Sequence, residues 1–282
     1  MGWMVVWMVL ILLVLVVFFL TAPSFRRGRL RTPFENRNYA HRGLFSLRQD
    51  PPENSLPAFE AAAQAGYGIE LDVQFSRDHK LLVFHDDSLD RMTGNCGSVR
   101  SFDYSQIRRM PLARTGEHAP LFSEVLSAVA GRVPLIVEIK SRREFSGAYL
   151  DALCRATLAA LREYNGDYCI ESFDPRVLHR IRKLAPDVLR GQLVDSCRSY
   201  RAEGAGLLSA FCISHCLGNF LGRPDFIAWC PDQENWAVRL CRFLGAMMVM
   251  WTALPTYDSS ALEARYQAVI FQWYMPQIRY GH

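Results

Sequence analysis

Several features that mark other protein classes are missing from this 282-residue sequence. No cluster of Lys and Arg recurs through the body of the chain, and the net charge is only +4, so the composition gives no support for nucleic-acid binding. Charged residues make up 21% of the chain and hydrophobic residues 50%, which excludes a disordered, collagen-like or coiled-coil protein. Residues 38–282 contain no short-period repeat, long linker or shift in composition, so we expect them to form one domain.

Charge is also missing from the first 20 residues, and residues 3–20 are apolar without interruption. As a helix this run is about 27 Å long, enough for a thin or tilted membrane crossing. No basic residue precedes it, as one would in a cleaved signal peptide, whereas four follow it: Arg26, Arg27, Arg29 and Arg31. We therefore predict a single-pass anchor at 1–22, a basic linker at 23–37, an external N-terminus and a cytoplasmic body. The alternatives are a buried core helix, or a secretory signal cleaved near Thr21-Ala22-Pro23-Ser24.

The eight cysteines are scattered, mostly inside apolar segments such as Tyr168-Cys169-Ile170. A body of this size does not need disulfide staples, so we expect reduced, buried thiols, which agrees with a cytoplasmic location. Cys212 and Cys216 share one helical turn with His215, but no further zinc ligand is near, so we interpret them as core residues.

Short apolar runs alternate with amphipathic runs throughout the body. The runs predict strands at residues 38–43, 68–75, 80–85, 135–139, 168–173, 189–194, 226–229, 247–251 and 268–271. Helices are predicted between them, among others at 55–65, 121–130, 149–163 and 176–184. A polar, Gly-containing stretch at 91–120 interrupts this order. About eight strand–helix units favour an α/β fold with a closed (β/α)8 barrel of the TIM type over an open sheet.

Three acidic residues lie within the predicted strands. Glu70 and Asp72 are two residues apart on one strand, so their carboxylates face the same side and repel unless a cation lies between them or one is protonated. Glu138 lies in another apolar strand, where an unpaired charge would be costly. Oxygen ligands of this kind suit one hard divalent cation, Mg²⁺ or Ca²⁺. Lys140 shares the strand face of Glu138 and could meet an anion held at the metal.

Two histidines end predicted strands. His41 closes the first strand, and His85 follows the run that ends at Phe84. Because histidine titrates near neutrality, two of them flanking one bond can divide the roles of base and acid. Arg42 offers a planar fork for phosphate oxygens. These residues together predict metal-assisted acid–base chemistry on a phosphate ester.

In order along the chain, the motifs resemble those of the glycerophosphodiester phosphodiesterases. The similar segments are Tyr39-Ala40-His41-Arg42-Gly43, Glu53-Asn54-Ser55-Leu56-Pro57-Ala58-Phe59, Gly68-Ile69-Glu70-Leu71-Asp72-Val73, Leu82-Val83-Phe84-His85-Asp86, Leu89-Asp90-Arg91-Met92-Thr93-Gly94, Val137-Glu138-Ile139-Lys140 and Glu171-Ser172-Phe173-Asp174-Pro175. The resemblance spans about residues 38–275. It implies a TIM-type barrel over 38–282 with a small insertion after the second strand. It also implies metal-dependent hydrolysis of glycerophosphodiesters to glycerol 3-phosphate and an alcohol, in glycerophospholipid metabolism.

The resemblance also implies roles by position. Glu70, Asp72 and Glu138 correspond to metal ligands, His41 and His85 to the acid–base pair, and Arg42 and Lys140 to phosphate contacts. We favour His41 as the base and His85 as the acid. Asn54 would orient His41 or a metal ligand, or else cap the following helix. Trp251 would contact the glycerol or headgroup, or else belong to the core.

Two segments depart from the family pattern, and both concern the pocket rather than the metal site. The chain has Trp251-Thr252-Ala253-Leu254 where the family often has Asn after Trp-Thr and a hydrophobic residue, and Gln272-Trp273-Tyr274 where the family has an Asp-containing turn. The identity of the headgroup alcohol therefore stays open. The sequence does not give the oligomeric state either.

Four other functions are alternatives to the hydrolysis of glycerophosphodiesters. Two belong to the same superfamily: a lysophospholipase D-like enzyme and a phosphatidylinositol-specific phospholipase C-like enzyme. An inactive barrel acting as a membrane-bound binding protein would lack at least one acid or histidine of the site, yet all five are present. A glycosidase would leave the histidines unexplained, and Glu70 and Asp72 are too close together to flank a glycosidic bond.

Overall fold

Eight parallel strands form a closed barrel, as the sequence predicts. The computed structural model describes residues 2–25, 28–230 and 234–277. The strands are β1 Arg37–His41, β2 Gly68–Phe75, β3 Leu81–Val83, β4 Leu135–Ile139, β5 Tyr168–Ser172, β6 Arg190–Val194, β7 Phe226–Trp229, β8 Met247–Ala253 and β9 Ala268–Phe271. All except β3 belong to the barrel, and β1 closes it by pairing with both β2 and β9.

Helices connect the strands and cover the outside of the barrel. They are α1 Gly2–Thr21, α2 Gly28–Arg31, α3 Leu56–Gln64, α4 Asp90–Thr93, α5 Tyr104–Ile107, α6 Phe122–Val129, α7 Gly147–Arg162, α8 Pro175–Leu184, α9 Cys197–Ala202, α10 Leu207–Ser214, α11 Asn219–Gly222, α12 Trp236–Phe243 and α13 Ser259–Arg265. Local sequence sets several of their ends. Asp174 caps α8 by accepting a hydrogen bond from the Arg176 amide, with Pro175 in the first turn.

The alternation of side chains along each strand divides the core in two. One set points outward and packs under the helices, as Ile69 and Leu71 do on β2. The other set points into the barrel. Its apolar members form one interior cluster, which Phe34 joins from the segment before β1. Polar members of the inward set follow at the carboxyl ends of the strands, where active sites of this fold are built.

An insertion follows β2, as the resemblance implies. It begins with β3, which pairs antiparallel with the end of β2, so the predicted strand at 80–85 is shorter than expected and lies outside the barrel. The helices α4 and α5 belong to this insertion, which has an apolar cluster of its own around Leu89, Val99 and Ile107. The insertion thereby forms a small lobe beside the carboxyl end of β2.

Helix α1 is almost entirely exposed, so the alternative of a buried core helix is wrong. It is the one helix among the described residues that is long and apolar enough to cross a membrane. Only its last turn meets the barrel domain, where Asn219 Nδ2 donates to Thr21 O at 2.9 Å. The Ser24 amide donates to Pro224 O, two residues before β7, so α1 joins the barrel at the amino ends of its strands. Of the four arginines on which the predicted orientation rests, Arg26 and Arg27 lie outside the described residues.

Candidate active site

Three carboxylates meet inside the barrel at the carboxyl ends of β2 and β4. Glu70 and Asp72 share the inner face of β2, and Asp72 lies opposite Glu138 in the register of β2 with β4. One oxygen from each of the three residues lies within 4.8 Å of the others, and all three are buried. The three acids that the sequence singled out therefore lie together, and their oxygens could hold a metal ion.

Two cationic side chains lie against these carboxylates. Lys140 Nζ is 3.0 Å from Glu138 Oε1 and 3.3 Å from Asp72 Oδ1. Arg42 Nε is 3.5 Å from Asp72 Oδ2. Asp72 Oδ1 nevertheless accepts no hydrogen bond of acceptable geometry from the described residues. Both predicted cations are thus at the site, but a buried carboxylate oxygen, Asp72 Oδ1, still has no hydrogen bond from the described residues.

The electrostatics of the acids reflect burial and mutual repulsion. Burial and the neighbouring Asp72 charge raise the pKa of Glu70 well above its usual range. Burial raises the pKa of Glu138 to about 7, although the Lys140 ammonium opposes this. Burial also acts on Asp72, but the charges of Lys140, His85 and Arg42 outweigh it and lower the pKa of that carboxyl. Without a divalent cation the site therefore retains protons that an exposed set of acids would lose near neutrality.

His41 ends β1 and faces the acidic cluster. Its Nε2 is 3.7 Å from Glu70 Oε2, and its Nδ1 hydrogen-bonds the side-chain oxygen Oε1 of Gln272. Because that amide oxygen can only accept, the bond places the proton on Nδ1 and leaves the lone pair of neutral His41 on Nε2. Burial and the neighbouring Arg42 charge lower the pKa of His41 to about 3.

His85 has a different partner, the carboxylate of Asp86. His85 Nδ1 is 2.6 Å from Asp86 Oδ1, and the two side chains are 31% and 22% exposed. Burial and the Lys140 charge lower the pKa of His85, whereas the Asp86 carboxylate raises it. The two histidines therefore differ in the group that holds Nδ1: a neutral amide for His41 and a carboxylate for His85.

A charged network joins the insertion to both sides of the site. Arg91 Nε donates to Asp86 Oδ2 at 2.7 Å, and its Nη2 donates to Glu53 Oε1 at 2.6 Å. The same Glu53 oxygen accepts a hydrogen bond from Arg42 Nη1 at 2.7 Å. Glu53 is buried, and the two guanidinium groups compensate its charge, which would otherwise be costly there. Through these contacts Arg42 and Asp86 are held in fixed positions.

The two residues that the sequence left ambiguous take distinct positions. Asn54 Nδ2 donates to Asp72 Oδ2 at 2.8 Å, so Asn54 orients a carboxylate of the cluster. The cap of α3 is the next residue, Ser55, whose side chain accepts from the Ala58 amide. Trp251 is partly buried and meets the edge of the His41 ring with 6.4 Å between ring centroids. It lies at the rim of the apolar interior and next to the histidine.

A model of the glycerophosphoryl diester phosphodiesterase family matches residues 41–264 of this sequence, a stretch that contains the acids, both histidines and both cations. The chain belongs to this family. Among its relatives are glycerophosphodiester phosphodiesterases of Caldanaerobacter subterraneus, 33% identical over 164 residues, and of Bacillus subtilis, 26% identical over 254 residues. The first alignment covers 55% of this chain and 65% of the relative, and the second covers 84% and 83%. The chain thus matches just under two thirds of the first relative's length.

Solved structures of the family share the fold. A putative glycerophosphoryl diester phosphodiesterase from Silicibacter pomeroyi superposes with a TM-score of 0.68 at 22% identity, covering 86% of this chain and 93% of that one. A phosphodiesterase from Oleispira antarctica, solved in complex with the product sn-glycerol-3-phosphate, superposes with a TM-score of 0.64 at 20% identity, covering 84% and 93%. At these identities the likeness establishes the barrel fold of the family.

Several residues at the site of this glycerophosphodiesterase family member were not predicted as site residues. Glu171 is fully buried, lies opposite Glu138 in the β4–β5 register, and has no hydrogen-bond partner for either carboxylate oxygen among the described residues. Burial and the charges of Glu138 and Asp72 raise its pKa well above the usual range. Glu171, like Glu138, is an acid inside an apolar strand, so the same sequence signal marks both residues. No local signal identifies Gln272 as the partner of His41, since the two are 231 residues apart.

Proposed function

We propose that this protein hydrolyses glycerophosphodiesters to glycerol 3-phosphate and an alcohol, using one divalent cation. The observation that carries the proposal is the buried triad of Glu70, Asp72 and Glu138, with two histidines near it and two cations against it. The relatives of this chain are named glycerophosphodiester phosphodiesterases, which supports the same reaction. Membership of the family and the chemistry of these side chains therefore support one reaction.

The donor set fits a hard divalent cation, Mg²⁺ or Ca²⁺. Glu70, Asp72 and Glu138 would hold it, because their oxygens converge and one Asp72 oxygen accepts no hydrogen bond from the described residues. When bound, the ion would polarise a phosphoryl oxygen and offset charge that grows on the phosphate. Lys140 and Arg42 would supply positive charge to the same phosphate, and Asn54 and Glu53 would hold Asp72 and Arg42 in place.

The partners of the two histidines support a division of roles. His41 Nδ1–H donates a hydrogen bond to Gln272 Oε1, which leaves the lone pair of Nε2 near the acidic cluster, so His41 would accept the proton of the nucleophile at Nε2. That nucleophile is either water or a hydroxyl of the glycerol. The Asp86 carboxylate stabilises a protonated His85, which would donate its proton to the oxygen of the departing alcohol. Trp251, beside His41, would contact the glycerol or headgroup.

We further propose that α1 is a single-pass anchor and that the barrel lies on the cytoplasmic side. Its apolar length, its exposure and its docking by one turn support a span. A phosphatase or protease-protection fusion across the anchor tests the orientation, and an external barrel would contradict it.

The attachment point of α1 favours a water-soluble diester over an intact bilayer lipid. The helix joins the amino ends of the strands, whereas the acids lie at the carboxyl ends. Strands of five residues, such as β4, separate the two ends by about 16 Å. The site therefore opens on the face of the barrel away from its attachment to α1.

A coupled assay on the full chain in detergent tests the reaction. It follows glycerol 3-phosphate released from glycerophosphocholine, glycerophosphoethanolamine and glycerophosphoglycerol, with Mg²⁺, Ca²⁺ or EDTA. We expect release that requires a divalent cation and that falls by orders of magnitude in His41→Ala and in His85→Ala, with folding and metal affinity retained. His179→Ala, on the outer helix α8, is the matched control. Hydrolysis of lysophospholipids in mixed micelles, with none of the three soluble diesters cleaved, would transfer the assignment to a lysophospholipase D-like enzyme.

A further inference from the structure

A cavity lies at the opposite end of the barrel from the acidic cluster. It has a volume of about 390 Å³ and lies between the end of α1 and the helices α8 and α11. One wall is apolar and consists of residues at or just beyond the last turn of α1. The other wall carries arginines. The lining residues are Phe18, Phe19, Ala22, Pro23, Ser24, Phe25, Arg182, Arg190 and Arg223.

If α1 spans a membrane, the cavity lies at the depth of the lipid head groups. The 20 residues of α1 reach about 30 Å, which matches the hydrocarbon thickness of a bilayer. Phe18 and Phe19 are in its last turn, and Phe25 follows four residues after its end. Aromatic side chains at the end of a spanning helix are typical of the interface between hydrocarbon and head groups. In that case the apolar wall would face acyl chains and the arginines would lie near phosphates.

The charges of Arg182 and Arg223 are not balanced by another lining residue of the cavity. None of its described lining residues is acidic. Burial and the neighbouring Arg182 charge lower the pKa of Arg223, so the two guanidinium groups repel each other. An anion between them would relieve this repulsion.

Both guanidinium groups also have donors to spare. Arg223 Nη1 donates to the carbonyl oxygens of Phe19 and Ala22, at 2.9 and 2.8 Å. Arg182 Nη1 donates to the carbonyl oxygens of Phe220 and Leu221, at 3.3 and 3.2 Å. Within the described residues these bonds use only one of the three nitrogens of each side chain. The bonds hold the two forks in place, and the remaining N–H groups suit phosphate oxygens. Arg190 also lines the cavity, but it is buried and donates to Gly222 O.

We propose that this cavity binds the phosphate group of an anionic phospholipid from the leaflet in which α1 ends. The apolar wall distinguishes this ligand from free phosphate, because it offers surface to an acyl chain that an inorganic ion does not have. The inference rests on the proposed membrane span of α1 but not on the proposed hydrolysis. Its ligand would hold the barrel against the bilayer by the face opposite the active site.

The test uses the full chain in dodecyl maltoside and measures its unfolding temperature during titration with dioctanoyl-phosphatidylglycerol. We expect a saturable rise with this lipid and none with dioctanoyl-phosphatidylcholine or inorganic phosphate. In the double variant Arg182→Gln/Arg223→Gln, we expect affinity for the anionic lipid at least about tenfold weaker, since each arginine near an anionic head group contributes to binding. The control is Arg109→Gln/Arg162→Gln, which removes the same charge from exposed sites elsewhere.

An equal rise with inorganic phosphate, or an unchanged affinity in the double variant, would overturn the lipid site. If the double variant does not fold, Arg182→Gln alone decides, because that side chain is exposed and its loss should still weaken lipid binding. Hydrolysis of soluble diesters should be normal in all these variants. Carbonate extraction of membranes tests the span of α1 separately, so failure of the lipid site and failure of the proposed function are distinguishable.

Discussion

Replacing Asp86 with Asn should weaken His85 as an acid while leaving the rest of the site in place. Asn keeps an oxygen that can accept the Nδ1 proton of His85, and Arg91 keeps its two hydrogen bonds to Glu53. What is lost is the negative charge beside the imidazolium, together with the hydrogen bond that Asp86 Oδ2 accepts from Arg91 Nε. The substitution therefore tests the charge of Asp86 while the hydrogen bonds to Glu53 still hold the Arg91 side chain.

The size of the effect follows from the geometry of the pair. Unit charges about 4 Å apart attract by about 4 kcal/mol at an effective dielectric constant of about 20. His85 and Asp86 are 31% and 22% exposed, so solvent screening reduces this to about 1–2 kcal/mol. Because each 1.4 kcal/mol corresponds to about a factor of ten, we expect a loss of roughly tenfold in kcat on glycerophosphocholine. The loss belongs to the step that protonates the departing alcohol.

The choice of leaving group makes the assay specific. A glycerol phosphodiester of 4-nitrophenol releases a phenolate that is already stable as an anion, so it does not need an acid. Asp86→Asn should hydrolyse this substrate at nearly the normal rate. Asp87→Asn is the matched control, because Asp87 pairs with Arg142 at 2.9 Å and contacts neither histidine. An equal loss on both substrates, or normal turnover of glycerophosphocholine, would refute the assignment of His85 as the acid.

Three further predictions concern the metal site, the His41 contact and the barrel core. Without metal the pKa of Glu138 is about 7, which is above that of an exposed Glu. Below about pH 7 the carboxyl therefore holds a proton that metal binding must displace. Divalent-ion affinity should therefore fall from pH 8 to pH 6 with proton release, measured by calorimetry in two buffers; an affinity independent of pH would contradict this. Gln272→Leu should lower kcat and leave metal affinity unchanged, because His41 loses the acceptor that sets its tautomer. Gln272→Glu retains an acceptor and should lower kcat less. Equal losses of kcat in both variants would argue against that role of Gln272. Gly68→Ala should lower the unfolding free energy by about 1–3 kcal/mol, because the added Cβ would lie 2.4 Å from the Tyr39 ring; a chemical denaturation midpoint equal to that of the unchanged chain would show that the ring can move aside.

Most barrel strands could be predicted from local pattern. The strands at 68–75, 135–139, 226–229 and 268–271 were predicted with the bounds that the structure has, because runs of buried apolar residues between turn signals are a local property. The place of the run at 80–85 in the fold could not be predicted in the same way. Its apolar residues predict a strand, but its antiparallel pairing with β2, outside the barrel, depends on how far β2 extends beyond its parallel neighbours.

The sequence by itself determined that the acids of the site share a strand face and need a partner. Glu70 and Asp72 face one side because a strand repeats every two residues, and a carboxylate within an apolar strand needs a partner wherever that strand is placed. The ordered motifs around these residues identified the family and with it the barrel. The apolar run of residues 3–20 likewise predicted a separate helix without reference to the rest of the chain.

Only the tertiary structure decided which partner each histidine has and which end of the barrel receives α1. The contact of His41 with Gln272 exists because β1 closes the barrel against β9, and ring closure is not a property of either segment. Arg91 meets Glu53 because the insertion folds back over the carboxyl end of β2. The cavity with Arg182 and Arg223 forms where the end of α1 packs on two helices about 160 and 200 residues further along. Such contacts depend on register and closure over long sequence separations, and no local pattern of residues encodes them.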